Sequence, residues 1–328
     1  MPFEAPALDS VARETRPFAA EIEPLDYVEP SEMVIHSKQY RVLEQMGEGG
    51  MGTVYHAYDP VLERDVALKV MKPGLPGAAR QRFRLEALYG ARLSHPNLAR
   101  VYDLGFMPDR GLDWFAAEHL RGKDLDRLLA RARERNMRLS FAIVAHVFGG
   151  ALDALEHAHR RGVVHRDVKP SNIFVCRDAE DGRIWSKLLD FGVALDLKRH
   201  KGPIEICGDP RYIAPEQALG NRPLDGRTDL YAAGMTLFEL VTGRHPFDDL
   251  LEAPSRDLLA AQCERPIPRP SNLLPSVISK EVRYGLDVVV QRACDKDPDR
   301  RFASAADMRT AMLDVLRGAP ERHDMTAA

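Results

Sequence analysis

Residues 165–172 read His165-Arg166-Asp167-Val168-Lys169-Pro170-Ser171-Asn172, and two shorter motifs follow them, Asp190-Phe191-Gly192 and Ala214-Pro215-Glu216. The first motif places a carboxylate, an ammonium group and a carboxamide in one short segment, and the second adds another carboxylate beside a glycine. Taken singly, each aspartate would be expected to be a solvated loop residue, because ionised carboxylates are seldom buried. The order of the three motifs is therefore more informative than any one of them.

A glycine-rich segment precedes these motifs and reads Gly47-Glu48-Gly49-Gly50-Met51-Gly52-Thr53-Val54, a GxGxxGxV pattern. Glycines let a backbone turn tightly and approach phosphate oxygens without obstruction by a Cβ. The pattern alone is weak, because an ordinary glycine hairpin has the same composition. A dinucleotide-binding fold needs a helix directly after the glycines, and a P-loop needs Gly-Lys-Ser/Thr. Residues 53–58 instead have the composition of a strand.

A lysine then occurs inside an apolar strand, in Val66-Ala67-Leu68-Lys69. Lysine is rarely buried without a partner. Glu86 lies on the inward stripe of a predicted helix, 78–93, so we expect an ion pair between Lys69 and Glu86. A strand lysine without such a partner would instead extend its ammonium group to solvent.

These five motifs, in this order, resemble the signature of the eukaryotic-type (Hanks-type) protein kinases, and the flanking residues are similar to the bacterial Ser/Thr branch. The resemblance covers about residues 40–317. It implies an α+β, bilobal protein-kinase-like fold, with a small β-rich N-lobe that has one helix and a larger α-helical C-lobe. The implied activity is transfer of the γ-phosphate of ATP, with Mg²⁺ (or Mn²⁺), to serine and threonine hydroxyls of protein substrates.

The resemblance also implies roles for four catalytic residues. Asp167 would accept the proton of the attacking hydroxyl, and Lys169 would neutralise the γ-phosphate. Lysine at this position is typical of the Ser/Thr branch and not of the tyrosine-specific one. Lys69, paired with Glu86, would contact the α- and β-phosphates.

Metal and nucleotide ligands follow from the same resemblance. Asn172 and Asp190 would hold the metal ion, and Ala117 would guard the pocket behind the adenine, where its methyl group would admit bulky analogues. The nucleotide-binding set comprises Met46, Gly47, Glu48, Gly49, Gly50, Met51, Gly52, Val54, Ala67, Lys69, Ala117, Glu118 and Leu120.

Three further residues have structural roles in the family. Glu216 is expected to pair with Arg301, and Asp229 is expected to brace the backbone of the loop that carries Asp167. The predicted organisation is a disordered acidic leader (1–38), an N-lobe (39–120), a C-lobe (121–317) and a tail (318–328). Strands are predicted at 40–46, 53–58, 66–71, 99–106 and 114–119, and helices at 78–93, 140–161 and 229–242.

One departure from the family pattern concerns the segment Gly208-Asp209-Pro210-Arg211-Tyr212, which usually reads Gly-Thr-Pro-x-Tyr. Asp209 puts a carboxylate where the family has a hydroxyl. If Asp209 lies near Asp167, the two carboxylates are expected to repel each other. The pKa of one of them should then rise, unless Lys169 screens both charges. On this account Asp209→Thr would raise turnover.

The second departure is that no serine or threonine lies between Gly192 and Tyr212. This segment therefore cannot be phosphorylated on Ser/Thr. Arg166, which binds the loop phosphate in such kinases, would need another anion, and Glu205 or Asp209 could supply one. We hypothesise a loop that is held by fixed carboxylates.

Composition excludes several other classes. The formal net charge of −3 over 328 residues gives no basic excess, so no nucleic-acid partner is expected. The four cysteines lack CxxC spacing, which indicates neither a cysteine zinc site nor a disulfide framework, and a cytoplasmic location is expected. Cys207 is interpreted as a small semi-buried apolar residue. No apolar run of about 18 residues is present, so no membrane span is expected.

Two alternatives remain open from the sequence. A pseudokinase, which is a nucleotide-binding or docking module with little catalysis, would have the same fold, and Asp209 is the one residue that favours it. A small-molecule kinase is less consistent with the complete segment around Ala214-Pro215-Glu216. Homodimerisation is a further expectation from the family.

Overall fold

The structure is a computed structural model, and it describes residues 40–108, 110–178, 180–198 and 206–317. The predicted leader (1–38) and tail (318–328) lie outside the described residues. The chain divides into two compact units. We call them the N-terminal unit, with described residues in 40–121 and 189–194, and the C-terminal unit, with described residues in 122–188 and 195–317.

The N-terminal unit contains one antiparallel five-stranded sheet in the order β1-β2-β3-β5-β4. Its strands are β1 (Arg41–Glu48), β2 (Gly52–Asp59), β3 (Arg64–Met71), β4 (Val101–Met107) and β5 (Leu112–Glu118). All five predicted strands are confirmed, with no end displaced by more than two residues. One face is closed by a core that includes Leu68, Trp114 and Ala116.

The helix of this unit, α1 (Gly77–Arg92), packs against the other face of the sheet. Its buried residues Phe83 and Ala87 are spaced by one helical turn and join Met71 and Phe115 in a second cluster. Glu86 is adjacent to this stripe, so the same packing that buries Phe83 turns Glu86 toward the sheet. The predicted helix is therefore confirmed, with its inward carboxylate.

A buried carboxylate ties α1 to the sheet. Asp113 on β5 has a side chain that is only 2% exposed, and it accepts hydrogen bonds from Arg80 and Arg84 on α1. The N–O distances run from 2.7 to 3.1 Å. Each guanidinium group donates two hydrogen bonds, one to each carboxylate oxygen, which is the strongest geometry for binding a carboxylate. This arrangement fixes the helix that carries Glu86.

The C-terminal unit is mainly helical. Its helices are α2 (Leu125–Glu134), α3 (Phe141–His159), α4 (Pro215–Leu219), α5 (Gly226–Thr242), α6 (Ser255–Glu264), α7 (Lys280–Ala293) and α8 (Ala305–Arg317). Short 3₁₀ turns lie at Pro170–Asn172, Asp248–Leu250, Pro270–Asn272 and Pro298–Arg300. Two small antiparallel sheets complete the unit, formed by β6 (Gly122–Asp124), β7 (Val163–Val164), β8 (Ile173–Arg177), β9 (Ile184–Leu188) and β10 (Leu195–Asp196). The predicted α+β class is thereby confirmed.

Capping residues explain where the two predicted helices of this unit begin. The Ser140 side chain accepts the N–H of Ile143 at the start of α3, as predicted for a helix cap. Helix α5 begins three residues earlier than predicted, because the Asp225 side chain caps it by accepting the N–H of Arg227. Residues 228–242 of α5 are all buried, so this helix forms the centre of the unit.

Within the residues that the structure describes, no helix combines the length and the apolarity needed to span a membrane.

Candidate active site

The glycine-rich segment forms the turn between β1 and β2. The N–H of Gly49 donates to the carbonyl of Gly52 at 2.8 Å, which closes the turn. A Cβ at Gly52 would lie 2.6 Å from the carbonyl oxygen of Val70, so only glycine fits there. No other side chain or backbone atom lies within 4 Å of the position that a Cβ would take at Gly47, near the end of β1, or at Gly50, in the turn, so both positions are open.

Lys69 and Glu86 form the expected ion pair. The Lys69 Nζ donates to both carboxylate oxygens of Glu86, at 2.6 and 2.7 Å. Burial by itself would lower the pKa of Lys69, but the charges of Glu86 and Asp190 outweigh it and raise that pKa. Burial raises the pKa of Glu86 to about 7, against the opposing charge of Lys69. The ammonium group is thus held charged at a fixed position.

Asp190 belongs to the same unit as this ion pair. It adopts a left-handed backbone conformation, with φ of 61°, which is uncommon for a residue with a side chain. The N–H of Gly192 donates to its Oδ1 at 3.0 Å. Its charge acts on both Lys69 and Glu86, so the structure brings three of the predicted site residues together.

Three residues of the predicted nucleotide-binding set, Val54, Ala67 and Ala117, share one face of the sheet. Val54 on β2 is paired with Lys69 on β3, and Ala67 is paired with Ala117 on β5. Directly paired residues of antiparallel strands point to the same side, as do residues two apart on one strand. Val54, Ala67 and Ala117 therefore lie on the side of the sheet from which Lys69 projects. The other residues of the predicted set occupy β1 (Met46), the turn, the end of β5 (Glu118) and the segment after it (Leu120).

In the C-terminal unit, Asp167 is the centre of a polar cluster. The Asn172 Nδ2 donates to the backbone carbonyl of Asp167 at 2.8 Å and to its Oδ2 at 3.1 Å. The Lys169 Nζ lies 2.9 Å from the same Oδ2. Both hydrogen bonds of Asn172 use its nitrogen, so its amide oxygen is the atom that a cation would take.

Asp229 braces this segment, as predicted. Its carboxylate accepts the N–H of His165 at 2.8 Å and the N–H of Arg166 at 2.7 Å. Arg166 has a φ of 66°, a strained conformation for arginine that these two bonds hold in place. Burial alone would raise the pKa of Asp229, but the hydrogen bond with His159, at 2.6 Å, outweighs it, so the pKa is lowered.

The expectation that Asp209 would raise a pKa is wrong for Asp209 itself. Burial acts to raise its pKa, but hydrogen bonds from Arg211 outweigh burial, and the pKa of Asp209 is lowered. The Arg211 guanidinium donates at 3.0 and 2.7 Å, and Lys169 lies 3.6 Å away. The backbone N–H of Asp209 donates to the Oδ1 of Asp167 at 3.0 Å. Asp209 therefore supports Asp167 with a hydrogen bond, and its charge is neutralised by Arg211.

Two residues in this region were not singled out from the sequence. Arg211 follows Asp209 by two positions in a tight turn, and an ion pair between them could have been predicted from this spacing. Gln217, on α4, donates to the backbone carbonyls of Arg166 (3.0 Å) and Cys207 (2.5 Å), and thus links two segments far apart in the chain. The expected anion Glu205 lies outside the described residues. Cys207 is half-buried, as expected.

Glu216 and Arg301 form the expected pair. The two Nη atoms of Arg301 donate to the two carboxylate oxygens of Glu216, both at 2.7 Å. The Thr228 hydroxyl also donates to Glu216, at 3.0 Å. The side chain of Arg301 is fully buried and that of Glu216 is 3% exposed. The pair joins the start of α4 to the segment before α8.

A family model described as "Protein kinase domain" matches residues 40–312. The chain belongs to the protein kinase family. Curated relatives of this chain include the serine/threonine-protein kinases PksC of Streptomyces coelicolor and Pkn1 of Myxococcus xanthus. PksC is 35% identical over 84% of this chain, and Pkn1 is 37% identical over 84% of it. PknB of Mycobacterium tuberculosis is 33% identical over 87% of this chain.

The chain spans 49% of PksC, 38% of Pkn1 and 44% of PknB, which is less than half of each relative. Among solved structures, the PknI kinase domain of Mycobacterium tuberculosis is similar, with a TM-score of 0.65 and 29% identity. The match covers 87% of this chain and 99% of that domain. The similarity therefore extends over a whole kinase domain, and the relatives carry further sequence outside it.

Proposed function

We propose that this chain is an ATP-dependent serine/threonine protein kinase (EC 2.7.11.1). The observation that carries the proposal is the environment of Asp167, whose carboxylate contacts the Nδ2 of Asn172, the Nζ of Lys169 and the backbone N–H of Asp209. Such contacts hold the carboxylate in one orientation, as a positioned general base requires. The names of the curated relatives support the same activity.

In this mechanism, Asp167 orients the substrate hydroxyl and takes its proton as the oxygen attacks. Lys169, beside the same carboxylate, neutralises charge on the phosphoryl group as it is transferred. Because Asp229 fixes the backbone at His165 and Arg166, the base does not have to be ordered during the reaction, which lowers the barrier.

The N-terminal unit would bind the nucleotide. Lys69, oriented by Glu86, would contact the α- and β-phosphates, and the open glycine turn would lie over them. Val54, Ala67 and Ala117 would contact the adenine from the sheet face, with Met46, Glu118 and Leu120 around it. The small side chain of Ala117 would admit bulky adenine analogues.

A divalent cation, Mg²⁺ or Mn²⁺, fits the residues present. Each unit offers one oxygen ligand of the kind that hard cations prefer, the carboxylate of Asp190 and the amide oxygen of Asn172. When bound, such a cation neutralises the negative charge of the phosphates.

A pseudokinase role is the second candidate, and Asp209 was its only support. The pairing of Asp209 with Arg211 removes the expected repulsion, so the groups around Asp167 favour catalysis. Substrates would be proteins with serine or threonine acceptors. The four cysteines are free, which suits the proposed cytoplasmic location, and homodimerisation stays a prediction.

Phosphate transfer from radiolabelled ATP to a generic basic protein tests the proposal. The wild type should label the acceptor with Mg²⁺ or Mn²⁺, and Lys69→Met should abolish labelling, because it removes the ammonium group that contacts the phosphates. Phosphoamino acid analysis should show phosphoserine or phosphothreonine. Tight nucleotide binding by the wild type without any labelling would instead favour the pseudokinase.

The affinity for a non-hydrolysable ATP analogue should fall as the pH drops through 7. Glu86, whose pKa burial raises to about 7, is charged above that pH and protonated below it. Protonation removes the negative charge that orients Lys69. Calorimetric titration from about one pH unit below to about one unit above this pKa would measure the effect.

Glu86→Gln is the matched control for this pH dependence, because glutamine keeps the shape and cannot titrate. Protonation of the nucleotide itself affects both proteins equally. The affinity of the wild type divided by that of Glu86→Gln should therefore fall toward acid pH. A ratio that does not change with pH would contradict the role of Glu86.

Asp209→Thr is expected to lower kcat, and not to raise it as the sequence suggested. Threonine has no negative charge to bind the guanidinium of Arg211. That guanidinium then becomes free to pair with the carboxylate of Asp167, which contacts residue 209. The double variant Asp209→Thr/Arg211→Ser removes that cation and should recover most of the loss. Steady-state kinetics would measure both, and a single variant faster than wild type would refute the explanation.

A further inference from the structure

A cluster of imidazoles and carboxylates lies in the N-terminal unit, apart from the residues assigned above. His56 on β2, Asp65 on β3 and His119, just after β5, each place a ligand atom so that all three atoms lie within 4.8 Å of one another. Ligands on a tetrahedral Zn²⁺ stand about 3.3 Å apart, given metal–ligand bonds of about 2.0 to 2.2 Å. Side-chain rotation alone can close that difference.

The two nitrogens of His56 have different surroundings. Its Nδ1 lies 3.3 Å from the Oε1 of Glu44, the residue directly opposite on β1. Its Nε2 is buried and makes no hydrogen bond among the described residues, although the Oδ1 of Asp65 lies 3.0 Å away. Histidines that bind metals commonly donate one N–H to a carboxylate and use the other nitrogen as the ligand. Glu44 is placed for the first role, and Nε2 for the second.

We propose that His56, Asp65 and His119 form a Zn²⁺ site, with Glu44 as the carboxylate that orients His56. Two imidazoles and one carboxylate are borderline ligands that suit this ion, and three protein ligands leave a fourth position for water. The ring of His119 is stacked on that of His56, with centroids 4.2 Å apart and planes 5° apart. Parallel rings direct their lone pairs along parallel lines, so His119 turns out of the stack to bind.

The proposed zinc site lies beside residues that are assigned to nucleotide binding. His56 is paired with Ala67 and lies two residues from Val54, so it projects from the same face of the sheet as Lys69. His119 stands between Glu118 and Leu120, both assigned to the nucleotide site. The ion would therefore join the strand that carries Val54 to the segment after β5. Binding of the ion itself does not depend on the proposed kinase activity.

One nearby cation opposes metal binding. The Nη2 of Arg121 lies 3.6 Å from the Oδ2 of Asp65, and its side chain is largely exposed. Arg121 pairs with the Oδ2 of Asp65, whereas His56 faces the Oδ1. The positive charge of Arg121 therefore opposes binding of a cation, but the Oδ1 stays accessible as a ligand. Removing it should strengthen zinc binding.

The test is Zn²⁺ affinity of the metal-free full chain, measured by competition with a chromogenic chelator. The chain has 11 histidines, so variants are needed to identify those that bind Zn²⁺. His56→Gln and His119→Gln should each weaken the affinity at least as much as loss of an orienting carboxylate does, about 10- to 100-fold. Glu44→Gln should weaken it within that range. His146→Gln, a change at an exposed histidine of the C-terminal unit, should leave it unchanged.

Arg121→Gln should change the affinity in the opposite direction: Zn²⁺ should bind more tightly, because the competing positive charge is removed. Co²⁺ in place of Zn²⁺ should give the visible absorption of a tetrahedral site in wild type and not in His119→Gln. Circular dichroism and thermal unfolding of the metal-free variants verify the fold. A wild type that binds no Zn²⁺, or histidine variants that bind it as tightly as wild type, would overturn the proposal.

Discussion

Asp167→Asn is expected to lower kcat by about 10²- to 10⁴-fold, the range that a positioned general base contributes. Asparagine has the same shape and keeps an oxygen for Asn172, but it cannot take a proton from the attacking hydroxyl. The KM for ATP should stay near the wild-type value, because the residues assigned to nucleotide binding all belong to the N-terminal unit, whereas Asp167 belongs to the C-terminal unit. Loss of kcat without a change in KM is the pattern of an interaction made in the transition state.

The control for this variant is Asp178→Asn. Asp178 accepts the backbone N–H groups of Glu180 and Asp181 in the turn between β8 and β9, so it is also a loop carboxylate with a local hydrogen-bonding role. Its variant should keep the wild-type kcat. If Asp167→Asn retained more than a tenth of the wild-type rate with an unchanged melting temperature, Asp167 would not be the base.

The interactions that the sequence predicted are those defined by the motifs themselves. The pair Lys69–Glu86 could be predicted because a buried charge requires a partner. The pair Glu216–Arg301 and the bracing by Asp229 were predicted only from the resemblance to the protein kinase family. Each motif restricted the candidates for that partner. Strand and helix ends were less accurate, because the last residues of an element depend on packing and on capping side chains such as Asp225.

Interactions between residues outside the motifs could not be predicted in the same way. Asp209 was expected to act through its charge on Asp167, but the turn places Arg211 over its carboxylate, and the pKa of Asp209 is lowered. Asp113 stands between apolar neighbours on β5, and its arginine partners come from a distant helix. The cluster of His56 and His119 depends on strand register, which alternation of residue types does not determine.

Glu216→Gln is expected to destabilise the protein by about 3 to 5 kcal/mol, the cost of leaving a buried charge without its partner. Glutamine offers one oxygen to Arg301 but no negative charge, and the side chain of Arg301 is fully buried, so water cannot replace the lost carboxylate. Arg301 also donates to the carbonyls of Asp295 and Arg227, which hold it in place when Glu216 changes. In a domain of this size the loss corresponds to a melting temperature lower by about 10 °C.

A double variant separates the charge from the packing at this pair. Glu216→Leu/Arg301→Met removes both charges, and it should be more stable than Glu216→Leu alone, because no charge is then left buried. An exposed pair at a similar distance, Arg265 and Asp249 at 2.6 Å, serves as the control, and Asp249→Asn should leave the melting temperature unchanged. A double variant less stable than the single one would contradict this explanation, because the hydrogen bonds of Arg301 to the carbonyls of Asp295 and Arg227 would then stabilise the protein by more than its unpaired charge destabilises it.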